Sequence, residues 1–154
     1  MRVLTVNPGS SSVKLSLLEA DDTVRSRVEL ATGGADREAE RVLASVARLP
    51  RPDAVGIRFV HGGRDYTHPV LIDDDVTRRL RALADLAPLH QPLSLYALGE
   101  IGRALPDVPA VACFDTAFHA TLPDAAATYA IPAGWRERYG LRRYGFHGLS
   151  HAYA

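Results

Sequence analysis

Residues 6–15 read VNPGSSSVKL: a Pro-Gly turn, three consecutive serines and a lysine between two apolar runs. Lys14 is the only lysine among 18 basic residues; all the others are arginine. In VKLSLLEA the apolar Val13, Leu15 and Leu17 alternate with polar neighbours, the period of a half-buried strand, and RVLTVN before the turn reads as its partner. A Gly-Ser turn between strands points backbone N–H groups and hydroxyls at one place, a cradle for phosphate oxygens. Lys14, just inside the second strand, adds a compact cation to the same anion. Asn7 can offer a neutral oxygen to Mg2+ or to a metal-bound water. The stretch is not a P-loop, which needs Gly-Lys-Ser/Thr opening a helix. An ordinary hairpin with a surface lysine accounts for the same residues.

Working outward, TVRSRVEL continues the alternation as a third strand. From Asp36 to Leu49, Ala39, Val42, Leu43 and Val46 fall at helical spacing. PDAVGIRFVHGG reads as a buried strand ending in two glycines. Asp73 to Asp75 give acidic capping to a helix with Val76, Leu80, Leu83 and Ala87 on one face. A second helix spans Pro92 to Ala104, with proline in its first turn. VPAVACFD is a continuous apolar strand ending on Asp115. The order β-β-β-α-β-α-α-β, followed by a loop-rich stretch, predicts an α/β domain with a mixed sheet and helices against it.

A chain of 154 residues that is 47% hydrophobic is long enough for one domain with a real core. Its 18 acidic residues balance the 18 basic ones, which argues against nucleic-acid binding driven by net charge. No apolar run approaches the ~20 residues that span a bilayer, so no membrane partner is expected. MRVLTV enters strand-like sequence at once and leaves no room for a signal peptide. Cys113 stands alone, which precludes an internal disulfide and points to a reducing, cytoplasmic setting. FHGLSHAYA ends inside an opening helix without a cap, so the chain is expected to be cut short.

Three further places carry chemistry. Arg58 lies inside the apolar GIRFVHGG, where an arginine needs an anionic partner; its fork suits a carboxylate or phosphoryl group, or an internal salt bridge. Asp115 ends a buried strand, where open sheets place ligand-handling groups; it can bind Mg2+ through water, orient the arginine or take up a proton, and it can also cap a helical turn. In YGFHGLSH, His147 can donate a hydrogen bond to developing negative charge. His147 with His151, and Asp115 with His119, have the i,i+4 spacing of zinc ligands, but Gly148 stands where a metalloprotease helix carries glutamate. Nothing like G-x-S-x-G surrounds Ser150, so the serine-hydrolase reading falls.

In one chain and in this order, NPGSSSVK, RFVHGG, LAPLHQP, FDTAFH and RRYGFHGLSH strongly resemble the acetokinase family of the actin/hexokinase/Hsp70 superfamily. The resemblance implies a ribonuclease H-like domain with a mixed five-stranded sheet, and reversible phosphoryl transfer between ATP and acetate, giving acetyl phosphate and ADP with Mg2+. It implies that Asn7 serves the Mg2+ site, that Ser10, Ser11 and Ser12 line the phosphate loop, and that Lys14 contacts the nucleotide phosphates. Arg58 resembles the arginine that holds the carboxylate and the phosphoryl group in flight. Val60, Leu89 and Phe146 match the apolar lining around the acetate methyl, Asp115 the proton donor or acceptor, and His147 the transition-state stabiliser. Acetate is already ionised at neutral pH, so Asp115 is expected to organise Mg2+ or Arg58 rather than to act as a base. The same resemblance makes residues 1–154 an N-terminal domain, with a C-terminal nucleotide-binding domain absent and the full-length parent a homodimer. Little activity is then expected of this chain alone. Propionate, one methylene longer, is hard to discriminate against. A non-catalytic phosphate-binding module and a zinc-dependent hydrolase are the competing readings.

Overall fold

The computed structural model describes residues 1–31 and 35–154, and for residues 35–39 the backbone alone. The side chain of Ala39, expected at helical spacing, lies outside the described residues. The first strands are β1 (Val3–Pro8), β2 (Ser12–Leu18) and β3 (Val24–Ala31), an antiparallel meander. Helix α1 (Ala35–Ala47) leads to β4 (Ala54–Phe59), which pairs parallel with β1. Then follow β5 (Val70–Leu71), α2 (Asp74–Ala82), α3 (Gln91–Ala104) and β6 (Ala110–Phe114). Three short helices, α4 (Asp124–Ala127), α5 (Ala133–Tyr139) and α6 (Gly148–Tyr153), occupy the stretch expected to be loop-rich.

The sheet has six strands in the order β3-β2-β1-β4-β6-β5, one more than expected. The extra strand is a two-residue edge, Val70 and Leu71 antiparallel to Ala112 and Val111. Two residues are too few to show alternation, so only pairing defines this strand. Asp73 caps α2 as its sequence suggests, its carboxylate accepting from the Val76 N–H at 2.7 Å. The helix stops at Ala82 rather than running on to Ala87. A 3-10 turn, Ala84–Leu86, follows, and Ala87 adopts φ −147° directly before Pro88, a position where proline disfavours helical backbone.

Leu4, Val6, Leu15, Leu17, Ile57, Phe59, Ala112 and Phe114 project from one face of the sheet and are almost completely buried. Val42 and Val46 of α1 and Ala97 and Ile101 of α3 belong to the same core. Because side chains alternate along each strand, packing this face turns the intervening residues toward the other.

On that second face the pairing register places Glu29 opposite Lys14, Lys14 opposite Asn7, and Arg58 beside Cys113. Asn7 and Arg58 each stand one step past the paired Val6 and Ile57. One row of polar side chains therefore crosses five adjacent strands at the level where β1, β4 and β6 end.

Candidate active site

The row is centred on Arg58. Its Nε and one terminal nitrogen both donate to a single oxygen of Asp115, Oδ2, at 3.0 and 2.6 Å. The other terminal nitrogen donates to Asn7 Oδ1 at 3.1 Å. Asp115 is 1% exposed, at the start of a 3-10 turn (Asp115–His119) that continues β6. A guanidinium within an apolar strand requires an anion, and the parallel neighbour β6 supplies it in Asp115, the residue that follows its last. Asp115's second oxygen faces the Leu149 N–H at 3.4 Å. Asp115 thus links the arginine to the start of α6.

Gly148, the first residue of α6, lies against the Asp115 backbone so closely that a Cβ would overlap the Asp115 carbonyl oxygen. That contact fixes His147, immediately before it, at the rim of the site. His147 has φ 58° and ψ 23°, the left-handed region, which costs a non-glycine residue about 1–2 kcal/mol. Its carbonyl accepts from the N–H groups of Ser150 and His151 at 3.0 Å each, which offsets part of that cost.

Two cavities meet at this place. The larger, about 770 Å³, is lined by Thr5, Asn7, Arg58, Cys113, His147 and Ser150 among others. The smaller, about 300 Å³, is lined by Arg58, Val60, Leu86, Ala87, His90, Asp115, Phe146 and His147. Arg58 and His147 belong to both, so an anion held by them would join the two spaces. Val60 and Phe146 give the smaller cavity apolar walls. His90 Nδ1 is buried without a hydrogen-bond partner among the described residues.

Not every residue singled out in the sequence comes here. Leu89 is 78% exposed and lines neither cavity. Leu86, Ala87 and His90 from the same segment take the wall instead. Ser10, Ser11, Ser12 and Lys14 also lie outside both linings. In the turn, the Gly9 N–H is spent on the Ser12 carbonyl at 2.8 Å. Ser12 Oγ donates to Glu29 Oε1 at 2.8 Å, and Lys14 Nζ stands 3.7 Å from that same oxygen. Ser10 and Ser11 are exposed. Lys14 remains next to Asn7 in the row, on the same face as Arg58.

Cys113 is a free thiol in the wall of the larger cavity, and burial pushes its pKa up, away from thiolate chemistry. Among the described residues no three His, Cys, Asp or Glu side chains converge to hold a metal ion. Ala87 and His90 lie within LAPLHQP, but the sequence assigns them no role in the wall. Cys113 and Glu29 join the row through cross-strand register, which only pairing reveals.

The Acetokinase family model matches residues 42–154. The chain is 41% identical over 184 aligned residues to an acetate kinase of Streptomyces avermitilis, covering 99% of this chain and 45% of that protein. With an acetate kinase of Nostoc sp. it shares 50% identity over 117 residues, covering 76% of this chain and 28% of the relative. The crystal structure of Porphyromonas gingivalis acetate kinase matches with a TM-score of 0.81 at 33% identity, over 97% of this chain and 46% of that one. A propionate kinase from Francisella tularensis matches equally well, at 0.81 and 31% identity. The chain spans somewhat less than half the length of these relatives. With the family model covering well over half of its residues, the chain belongs to the acetokinase family.

Proposed function

We propose that the chain forms the acyl-phosphate half of an acetate kinase, a Mg2+-dependent enzyme that moves a phosphoryl group between ATP and acetate. The observation that carries this is the Asn7–Arg58–Asp115 chain of hydrogen bonds, set where two cavities meet beside His147. In-line phosphoryl transfer asks for positioning and for cations around the equatorial oxygens, with little covalent help from protein. Arg58 has donors left over after Asp115 and Asn7 are served, and these would grip the carboxylate and the phosphoryl group in flight. His147 would donate to charge developing on the same group. Val60, Ala87 and Phe146 would enclose the methyl of acetate, in a space that also accepts propionate.

Asp115 holds Arg58 and needs no proton chemistry in this scheme, since the acceptor carboxylate is already ionised. Asn7 offers Mg2+ a fit through water: one lone pair of its exposed amide oxygen is committed to Arg58 and the other is open to a metal-bound water. When bound, Mg2+ neutralises charge on the phosphate oxygens. Ser10 to Lys14 would meet the nucleotide phosphates from the side of β2, after Lys14 leaves Glu29. The adenosine site and further cationic groups would belong to the remaining half of a protein of the relatives' length, which would also cover the exposed Phe118, Trp135, Tyr139, Leu149 and Tyr153. The reading assigns the protein to the cytoplasm; among the described residues no helix is long and apolar enough to cross a membrane.

The test is a two-dimensional amide spectrum of the chain titrated with acetyl phosphate and Mg2+. Saturable shifts at Arg58, Phe146 and His147, lost in Arg58→Ala, are expected. Shifts confined to Gly9–Lys14 and indifferent to Arg58→Ala would instead support a phosphate-binding module without catalysis.

A further inference from the structure

His119 ends the 3-10 turn that Asp115 begins, and the proposed transfer does not use it. Its Nε2 lies 3.0 Å from the Phe146 carbonyl oxygen. A carbonyl oxygen only accepts, so Nε2 carries the proton and, in the neutral ring, Nδ1 does not. The peptide unit gripped in this way is the one that joins Phe146 to His147, and His147 is one of only two non-glycine residues with positive φ among those described. Gly145, one residue earlier, lies so close to the His119 ring that a Cβ there would overlap it. The buried His61 ring also packs edge-on against this segment, at Tyr144 with ring centres 4.4 Å apart and at Phe146 at 6.0 Å. Residues 144–147 therefore touch two histidines, one just beyond β4 and one at the end of the 3-10 turn that continues β6.

We propose that His119 is a positioning residue: its Nε2–H fixes the Phe146–His147 peptide, and so holds His147 in its left-handed conformation with both side chains at the cavity walls. This rests on the reading that Phe146 and His147 line the acyl-phosphate site. The hydrogen bond supplies direction and the ring face supplies the slot that only Gly145 can fill. A residue that merely filled space at 119 would supply the second without the first.

Glutamine and asparagine separate these contributions, because a glutamine amide reaches the place of Nε2 while an asparagine amide reaches that of Nδ1. The experiment is NMR on the 154-residue chain with no ligand added, so it can fail independently of the substrate assignment. In the wild type, imidazole nitrogen shifts are expected to report the Nε2–H tautomer of His119. In His119→Gln the Cα and amide shifts of His147 should stay at their wild-type positions. In His119→Asn they should move away from left-handed values, with Phe146 moving alongside. An Nδ1–H tautomer in the wild type would overturn the proposal, whatever the variants do. So would equal behaviour of the two variants, either both silent or both shifted.

Discussion

Arg58 places two of its nitrogens on one oxygen of Asp115, leaving the other carboxylate oxygen to face the Leu149 N–H. One buried carboxylate thus serves both the central arginine and the helix that follows His147. Removing it strands a guanidinium that is only 22% exposed. Asp115→Ala is expected to cost about 1.5–3 kcal/mol of stability, the range for hydrogen bonds to charged groups. Asp115→Asn keeps the volume and one accepting oxygen and should cost less. Urea unfolding at neutral pH reads both, and equal losses in the two variants would refute the assigned role.

A second expectation concerns the Gly-Ser turn between β1 and β2. Glu29 accepts from Ser12 and pairs with Lys14, the second an exposed ion pair that is weak by nature. Glu29→Gln removes the charge that competes with phosphate for Lys14. Titration with inorganic phosphate, followed at the Lys14 amide, should then show affinity rising about two- to five-fold, the equivalent of one exposed ion pair. An unchanged or weakened affinity would mean that Lys14 does not face the anion.

Gly148 tests how α6 is docked. A methyl group at this position must push the helix off the Asp115 carbonyl. Gly148→Ala is expected to destabilise the chain by about 1–3 kcal/mol, as overpacking does. Amide exchange should speed up in residues 149–153 while the strands stay protected. Uniform loss of protection would show instead that α6 is part of the cooperative core.

His61 gives a pH dependence with a definite sign. Burial pushes its pKa below 6.5, and Nδ1 accepts from the Gly63 N–H at 2.8 Å, which a protonated ring could not do. The unfolded chain therefore binds a proton that the folded chain refuses as pH falls below 6.5. Stability is full above that pH and declines below it, by at most about 1.4 kcal/mol per pH unit, until the folded pKa is reached. His61→Asn keeps an acceptor near Nδ1 and removes the titration. Thermal melts across this range should be flatter in the variant; parallel curves would exclude His61 as the source.

The elements that alternation and spacing could specify are those that local chemistry decides. The hairpin around Gly9, the buried strands carrying Arg58 and Asp115, and the Asp73 cap all follow from residues close in the chain. Arg58 announces a partner because a charge in an apolar run must have one, and Asp115 announces a strand end. What the sequence could not decide is what depends on distant neighbours. Strand β5 exists only because β6 lies beside it. Leu89 carries a family motif yet points outward, while Ala87 takes the cavity wall. Glu29 reaches Lys14 by cross-strand register, and His119 reaches Phe146 across a loop. Spacing makes a residue available, but only the packing of one sheet face decides which side chains share the other.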